Sequence, residues 1–253
     1  MEKTILVTGA TSGIGEATAH LFAENGWNVI ATGRRLSRLE SLKEEIFEKC
    51  NNEITILNFD VRNRGEVEEA LNSLDIDSNP IDVLVNNAGL SLGLEDFNEA
   101  SFEEWEQMID TNVKGLLYVS RLISNYMIKR KSGHIINIGS VAGYNVYPKG
   151  HVYCASKFAV RAITEGMRED LAQHKVKVSS LNPGMVDTEF SIVRFRGNED
   201  KAEQVYKGFE PLHSKDVADT LFYMANLPEH VNLAEVMILP KAQSNAYFTH
   251  KEF

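Results

Sequence analysis

"TILVTGATSGIGEATAHLF", Thr4 to Phe22, joins a short apolar run to a glycine turn and then to a helical pattern. Thr4–Thr8 is β-branched and apolar, as a buried strand requires. Ile14, Ala17, Thr18, Leu21 and Phe22 fall at i, i+3, i+4, i+7 and i+8, one face of a helix. Asn25-Gly26 ends that helix with a pair that tolerates the left-handed conformation. Gly9, Gly13 and Gly15 lie between the two elements with the spacing G-x-x-x-G-x-G. Such a turn lets backbone approach a pyrophosphate at the positive end of a helix. Gly9, Thr11, Ser12, Gly13, Ile14 and Gly15 are therefore expected to meet a dinucleotide. Glycines alone are weak evidence, because any tight turn uses them. Their place between first strand and first helix is what points to a nucleotide.

The pattern repeats outward from this unit. Further β-rich runs lie at 27–32, 54–61, 81–86, 134–139, 176–182 and 234–240. Most are continuous apolar runs, which suits strands buried on both faces of a parallel sheet. Strand and helix alternate, implying right-handed crossovers and a doubly wound, Rossmann-like α/β sheet of seven strands. No linker or repeat interrupts it, so residues 1–253 are read as one domain. The least regular stretch, about 185–213, follows the carboxyl end of a strand, where such sheets bind ligands. It is expected to be a substrate lid.

Composition narrows the function. The 26 Lys+Arg against 36 Asp+Glu give a net charge of −10, which argues against a nucleic-acid partner. Cys50 and Cys154 are far apart and belong to no Cys/His cluster, so no metal is expected and both read as free thiols in a reducing, cytoplasmic setting. No apolar stretch approaches the length of a signal-peptide core or membrane span, so no membrane partner is expected.

Two features address which dinucleotide binds. The second strand ends "IATGRR", with Arg34 and Arg35 where an acid would hold a ribose 2′-hydroxyl. Arginine's planar fork suits a 2′-phosphate, so NADP is favoured over NAD. Alternatively, these arginines simply begin a surface helix rich in Glu40, Glu44 and Glu45. In "FDVRN" at 59–63, Asp60 can reach an adenine amino group and Val61 can pack on the ring. Asp60 can equally be the N-cap of the next helix.

"SVAGYNVYPKGHVYCASK", Ser140 to Lys157, carries the chemistry. Tyr153 and Lys157 stand at i and i+4 and share a helix face. A nearby ammonium is expected to lower the tyrosine pKa from about 10 toward neutrality. Tyr153 can then donate a proton to a carbonyl oxygen or accept one from an alcohol, and Ser140 can hydrogen-bond the same oxygen. His151 has no motif behind it and is read as a rim or surface residue. Singly, each residue has an ordinary structural explanation.

Together, "TGATSGIG" at 8–15, "NNAG" at 86–89, Asn112 in "DTNVKG", Ser140 in "NIGSVAG", "YCASK" at 153–157 and "NPGMVDT" at 182–188 resemble the short-chain dehydrogenase/reductase family over nearly the whole chain. The resemblance implies a Ser140-Asn112-Tyr153-Lys157 tetrad. In it Lys157 also grips the nicotinamide ribose, and Asn112 positions a water leading to solvent. It implies that Asn86, Asn87, Ala88 and Gly89 line the floor under the cofactor. Pro183, Gly184, Val186 and Thr188 would hold the carboxamide and nearby phosphate. Unlike many NADP-preferring members, this chain has no basic residue inside the glycine turn. The 2′-phosphate would rest on Arg34 and Arg35, helped by Arg38 and the Ser12 hydroxyl.

A narrower similarity is to the NADP-dependent 3-hydroxy acid dehydrogenase branch. "IATGRR", "DVRNR", "HIINIGSVAG", "DKAEQVYKG" and "LPEHVN" carry it, as does the lid. It implies oxidation of serine, allo-threonine or similar short 3-hydroxy acids, or reduction of small semialdehydes, by a homotetramer. A carboxylate substrate needs an anchor. In an extended lid Arg194 and Arg196 would face one side, and Arg194, nearer the active site, is the expected anchor. Pairing with Glu199 and Asp200 is the alternative. Two other functions stay open: a general carbonyl or 3-oxoacyl thioester reductase, and a non-catalytic NADP(H) sensor or scaffold.

Overall fold

The computed structural model describes residues 3–252. In chain order the elements are β1 (Thr4–Thr8), α1 (Gly13–Glu24), β2 (Asn28–Gly33), α2 (Leu36–Cys50), β3 (Thr55–Asn58), α3 (Arg64–Asn72) and β4 (Val83–Asn86). Next come α4 (Phe102–Ile109), a π-helical turn (Asp110–Gly115), α5 (Leu116–Arg130), β5 (Gly133–Ile138), a 3-10 turn (Val141–Gly143), α6 (His151–Ala172) and β6 (Val176–Pro183). The chain finishes with β7 (Val186–Asp187), α7 (Glu189–Arg194), α8 (Glu199–Tyr206), β8 (Leu212–His213), α9 (Ser214–Ala225) and β9 (Glu235–Ile238).

The seven main strands are parallel, in the order β3-β2-β1-β4-β5-β6-β9. They fall where the apolar runs predict. Burial explains why those runs lack polar alternation. In β1, Ile5 and Val7 pack into one core with α1, α2 and α9, whereas Leu6 packs into the other with α3 and α5. Each face of the strand must therefore be apolar. The order reverses at β1, which pairs with β2 on one side and β4 on the other. Loops after the carboxyl ends of β1 and β4 diverge there and leave a crevice.

Local residues fix the edges of this frame. Gly26 takes φ +76° after α1, in the left-handed region anticipated for Asn25-Gly26. Phe22 on α1 meets Trp27 and Phe222 edge-on at 5.0 and 5.1 Å, tying α1 to α9. At Gly115 a Cβ would come within 2.9 Å of Val61 Cβ, so its bare backbone lets the π-helical turn lie against the loop after β3.

The stretch expected to be irregular is ordered. Strands β7 and β8 pair in a small parallel sheet, and α7 and α8 lie between them. Thr188 caps α7, its Oγ1 accepting from Phe190 N at 3.2 Å. The segment is thus not extended at Arg194. Arg194 ends α7, whereas Arg196 follows it with φ +54°.

Candidate active site

The crevice holds a cavity of about 310 Å³. Gly9, Thr11, Ser12, Gly13, Ile14, Arg34, Arg35, Asp60, Val61, Asn87, Ala88 and Gly89 line it. So do Ser140, Tyr153, Lys157, Pro183, Gly184, Val186 and Thr188. These come from residues 9 to 188, brought together at the carboxyl ends of the strands. Gly15 and Asn112 stand behind the wall, and Arg194 lines a second, smaller cavity instead.

The glycine turn is stitched to the loop after β4. Asn87 Nδ2 donates to the carbonyls of Thr8 and Gly9 at 2.9 and 3.0 Å, and the amides of Asn87 and Ala88 donate to Thr8 Oγ1. Gly9 and Gly13 have φ of +68° and +58°, which a side chain would strain. Gly15 serves packing: a Cβ there would lie 2.3 Å from the Gly9 carbonyl. Asn86 points away from the cavity, donating to Ser120 Oγ and Asn137 Oδ1, both at 2.8 Å.

The basic end is built by the residues after β2. Arg35 is held in the turn: its Nε donates to Thr11 Oγ1, and its Nη2 to Thr11 O, Thr11 Oγ1 and Ser12 Oγ, at 2.9–3.2 Å. Its Nη1 donates to Glu189 at 2.9 Å, and Arg38 reaches the same carboxylate at 3.1 Å. Arg34 is half exposed and lies 3.7 Å from Asp60. Asp60 is not the N-cap of α3. That role falls to Asn63, whose Oδ1 accepts from Gly65 N and Glu66 N. The Asp60 carboxylate accepts instead from the Arg62 amide and guanidinium. Burial opposes the charge on Asp60, but the bonds from Arg62 and the charges of Arg62 and Arg34 hold its pKa below the usual range.

The chemical end is built on β5, the 3-10 turn and α6. Ser140 caps the 3-10 turn, its Oγ accepting from Ala142 N at 3.1 Å. At Gly143 a Cβ would meet the Lys157 carbonyl at 2.8 Å, so the missing side chain lets this turn rest on α6. Lys157 is 7% exposed and donates to the Ile138 carbonyl at 2.9 Å. Its ammonium lies 6.0 Å from the Tyr153 ring centre. Burial pushes Lys157 down to about 8. Tyr153 does not follow the expectation of a lowered pKa. Burial and the neighbouring Tyr147 raise it above its ordinary value, against the Ser140 hydrogen bond and the Arg194 charge. Tyr153 is therefore a protonated phenol at neutral pH, a donor.

Asn112 sits in the π-helical turn, a distortion of the kind that recurs at functional sites. Its Nδ2 donates to Leu90 O and Ser156 Oγ, and its Oδ1 accepts from Leu90 N. Both side-chain donor hydrogens are engaged, so the side chain braces the loop after β4 against α6.

Arg194 donates from Nη2 to the Tyr147 hydroxyl at 2.8 Å and lies over that ring at 5.3 Å. It does not pair with Glu199 or Asp200. Arg196 instead grips Glu104 and Glu95, at 2.6–2.8 Å. His151 lines the smaller cavity beside Trp105 and Phe97. Reading the sequence missed Glu189, Phe190 and Leu90, which also line the larger cavity. Phe190 meets the Tyr153 ring edge-on at 5.7 Å. Spacing also hid Glu16, His20 and Glu45, whose ligand-type atoms come within 4.8 Å of one another on the outside of α1 and α2. His20 and Glu45 form an ordinary surface pair at 3.5 Å.

A dinucleotide fits this lining. The glycine turn offers bare backbone at one point, arginines flank the outer end, and a buried ammonium faces the inner end beside a phenol.

Comparison with known proteins agrees. The NADP-dependent 3-hydroxy acid dehydrogenase of Salmonella typhi is 48% identical over 243 residues, covering 96% of each chain. The serine 3-dehydrogenase of Agrobacterium fabrum is 40% identical over 248 residues, covering 98% of each. The closed form of a serine dehydrogenase complexed with NADP+ superposes with a TM-score of 0.92 at 45% identity, over 99% of this chain and 100% of that one. A serine dehydrogenase from Escherichia coli superposes at 0.82 with 42% identity, over 95% and 99%. With the profile of the short chain dehydrogenases matching residues 3–199, the chain belongs to the short-chain dehydrogenase family.

Proposed function

We propose that the protein transfers a hydride between NADP(H) and a short 3-hydroxy acid, its 3-oxo acid or a semialdehyde. The observation that carries this reading is that one cavity is lined both by Arg34 and Arg35 and by Ser140, Tyr153 and Lys157. Similarity to 3-hydroxy acid and serine dehydrogenases across 96–98% of the chain, lid included, favours that substrate class over acyl thioesters. Arg34 and Arg35 would hold the 2′-phosphate. Asp60 and Val61 would meet the adenine. Gly9, Thr11, Ser12, Gly13, Ile14 and Gly15 would form the pyrophosphate turn, with Asn87, Ala88 and Gly89 as the floor. Pro183, Gly184, Val186 and Thr188 would hold the carboxamide end.

NADP(H), when bound, supplies or accepts the hydride. The protein handles the proton. Tyr153, as a phenol, donates to the developing alkoxide of a carbonyl substrate, and Ser140 hydrogen-bonds the same oxygen; in the oxidative direction the phenolate form of Tyr153 accepts the alcohol's proton as the hydride leaves. Lys157, with a pKa of about 8, can exchange protons near neutral pH and binds ribose hydroxyls through the hydrogens not given to Ile138. Asn112 positions this assembly from behind. The complete tetrad disfavours a sensor or scaffold, which needs no proton donor.

Arg194 would anchor the carboxylate, since it lines the smaller cavity together with Tyr153, which also lines the larger one. The residues at about 185–213 would form the lid of a single-domain enzyme. Apolar Leu117 on α5, Phe158 on α6 and Met237 on β9 are 40%, 39% and 44% exposed, which suits burial in a homotetramer. Free Cys50 and Cys154 suit the reducing cytoplasm.

The test is a panel of L-serine, allo-threonine, 3-hydroxypropionate, small semialdehydes and 3-oxoacyl thioesters, with NADP(H) and NAD(H). Turnover confined to thioesters would select the rival reductase. In Arg194→Ala, a rise in KM confined to carboxylate substrates supports the anchor. An equal loss on uncharged aldehydes reduces Arg194 to a strut on Tyr147.

A further inference from the structure

We propose that Glu189 competes with the cofactor's 2′-phosphate for Arg35 and Arg38, and that this competition latches the lid to the cofactor edge of the fold. The inference rests on the NADP reading and goes beyond it. Glu189 is the first residue of α7 and lines the same cavity as Arg34 and Arg35. Its two carboxylate oxygens are divided: Oε2 accepts from Arg35 Nη1 at 2.9 Å and Oε1 from Arg38 Nη2 at 3.1 Å. A phosphate dianion on Arg35 would share that guanidinium with this carboxylate.

The sign of the coupling follows from how Arg35 is held. Thr11 O, Thr11 Oγ1 and Ser12 Oγ already fix its Nε and Nη2. Glu189 is not needed to orient the fork, so its main effect on an incoming phosphate is like-charge repulsion. Coupling between two sites is reciprocal. If Glu189 weakens phosphate binding, phosphate weakens the hold of Glu189 on the arginines.

The consequence passes along α7. Thr188 and Glu189 begin that helix, and Phe190 beside them meets the Tyr153 ring. Loosening Glu189 frees the end of the lid that carries Phe190. The far end has its own tether, Arg196 on Glu95 and Glu104, which does not touch the nucleotide edge. The two ends can therefore be released separately.

The test uses adenosine 2′,5′-bisphosphate and 5′-AMP, which differ at the 2′-phosphate and carry no nicotinamide. Calorimetry should show Glu189→Gln binding the bisphosphate about two- to fivefold more tightly, the range of an exposed charge pair, with AMP unchanged. The gain should shrink as salt is raised. In hydrogen exchange, the bisphosphate should speed the amides of 190–194 in wild-type protein and AMP should not. In Glu189→Gln those amides should be fast with either probe. Arg196→Gln should loosen the other end of the lid and leave the bisphosphate-to-AMP ratio unchanged. Weaker bisphosphate binding in Glu189→Gln would overturn the proposal, because Glu189 would then be an orienting group. An unchanged ratio, or lid exchange indifferent to the 2′-phosphate, would overturn it too. Wild-type protein that bound both probes alike would instead remove the NADP reading on which the latch rests.

Discussion

The Lys157 ammonium lies 6.0 Å from the centre of the Tyr153 ring and donates to the Ile138 carbonyl at 2.9 Å. In the proposed function one of these side chains would move a proton and the other would bind ribose. Tyr153→Phe removes only the hydroxyl and is expected to abolish turnover while the dissociation constant for NADPH, read by fluorescence quenching, barely moves. Lys157→Ala is expected to damage both. Substantial turnover by Tyr153→Phe would remove the phenol from the mechanism.

Lys157 also strains the fold. Burial lowers its folded pKa from 10.5 to about 8. Between those values the unfolded chain binds more protons than the native one, so this group's contribution to stability rises with pH across that window. Below it the charge is present in both states, and its burial costs about 3 kcal/mol for a shift of this size. Lys157→Met keeps most of the stem but loses the Ile138 bond. It should be inactive yet more stable at pH 7, by on the order of 1–3 kcal/mol in urea melts. A less stable variant would show that the Ile138 bond outweighs the desolvated charge.

His134 is expected to contribute to the loss of stability in acid. It is buried at the start of β5, with Nε2 at 2.8 Å from Ser179 Oγ and Nδ1 without a partner. Burial, then the charge of Lys177, lowers its pKa from 6.5 to about 3. As pH falls through this window the unfolded chain takes up the proton first, so stability present above pH 6.5 is lost. His134→Asn should flatten the decline of Tm over the same range. An identical decline in the variant would place acid sensitivity elsewhere.

Arg34 is the freer of the two arginines at the cofactor edge. Arg34→Ala should weaken NADP by roughly 1.5–3 kcal/mol, the worth of a hydrogen bond to a charged group, and weaken NAD far less. Equal losses for the two nucleotides would mean that Arg34 supports Asp60 rather than reading the phosphate.

The parts of this protein that were legible in the sequence are those coded by neighbours in the chain. Thr4–Thr8 had to be a two-sided strand because Ile5, Leu6 and Val7 feed two cores. Tyr153 and Lys157 could be placed on one helix face by counting. What escaped depends on distance or burial. Glu189 and Arg35 are 154 positions apart, so nothing local announces their bond. The raised pKa of Tyr153 reflects its surroundings rather than the lysine one turn away. Helix α7 did have a signal: Thr188 before Glu189 is a capping residue followed by an acid in the first turn. Alternation of Arg194 and Arg196 with apolar Val193 and Phe195 fits an extended segment instead. The cap decides that segment because the alternating run is short.

The most direct test of the account compares 3-hydroxypropionate with 1-propanol, which has the same carbon chain and hydroxyl but no carboxylate. NADPH formation by the wild-type protein is followed with each, and again with NAD. The account predicts that the acid is oxidised with a kcat/KM at least about tenfold above the alcohol, the effect of one charge-assisted hydrogen bond, and that NADP is strongly preferred. Equal rates with the two alcohols, or equal use of NAD, would contradict it.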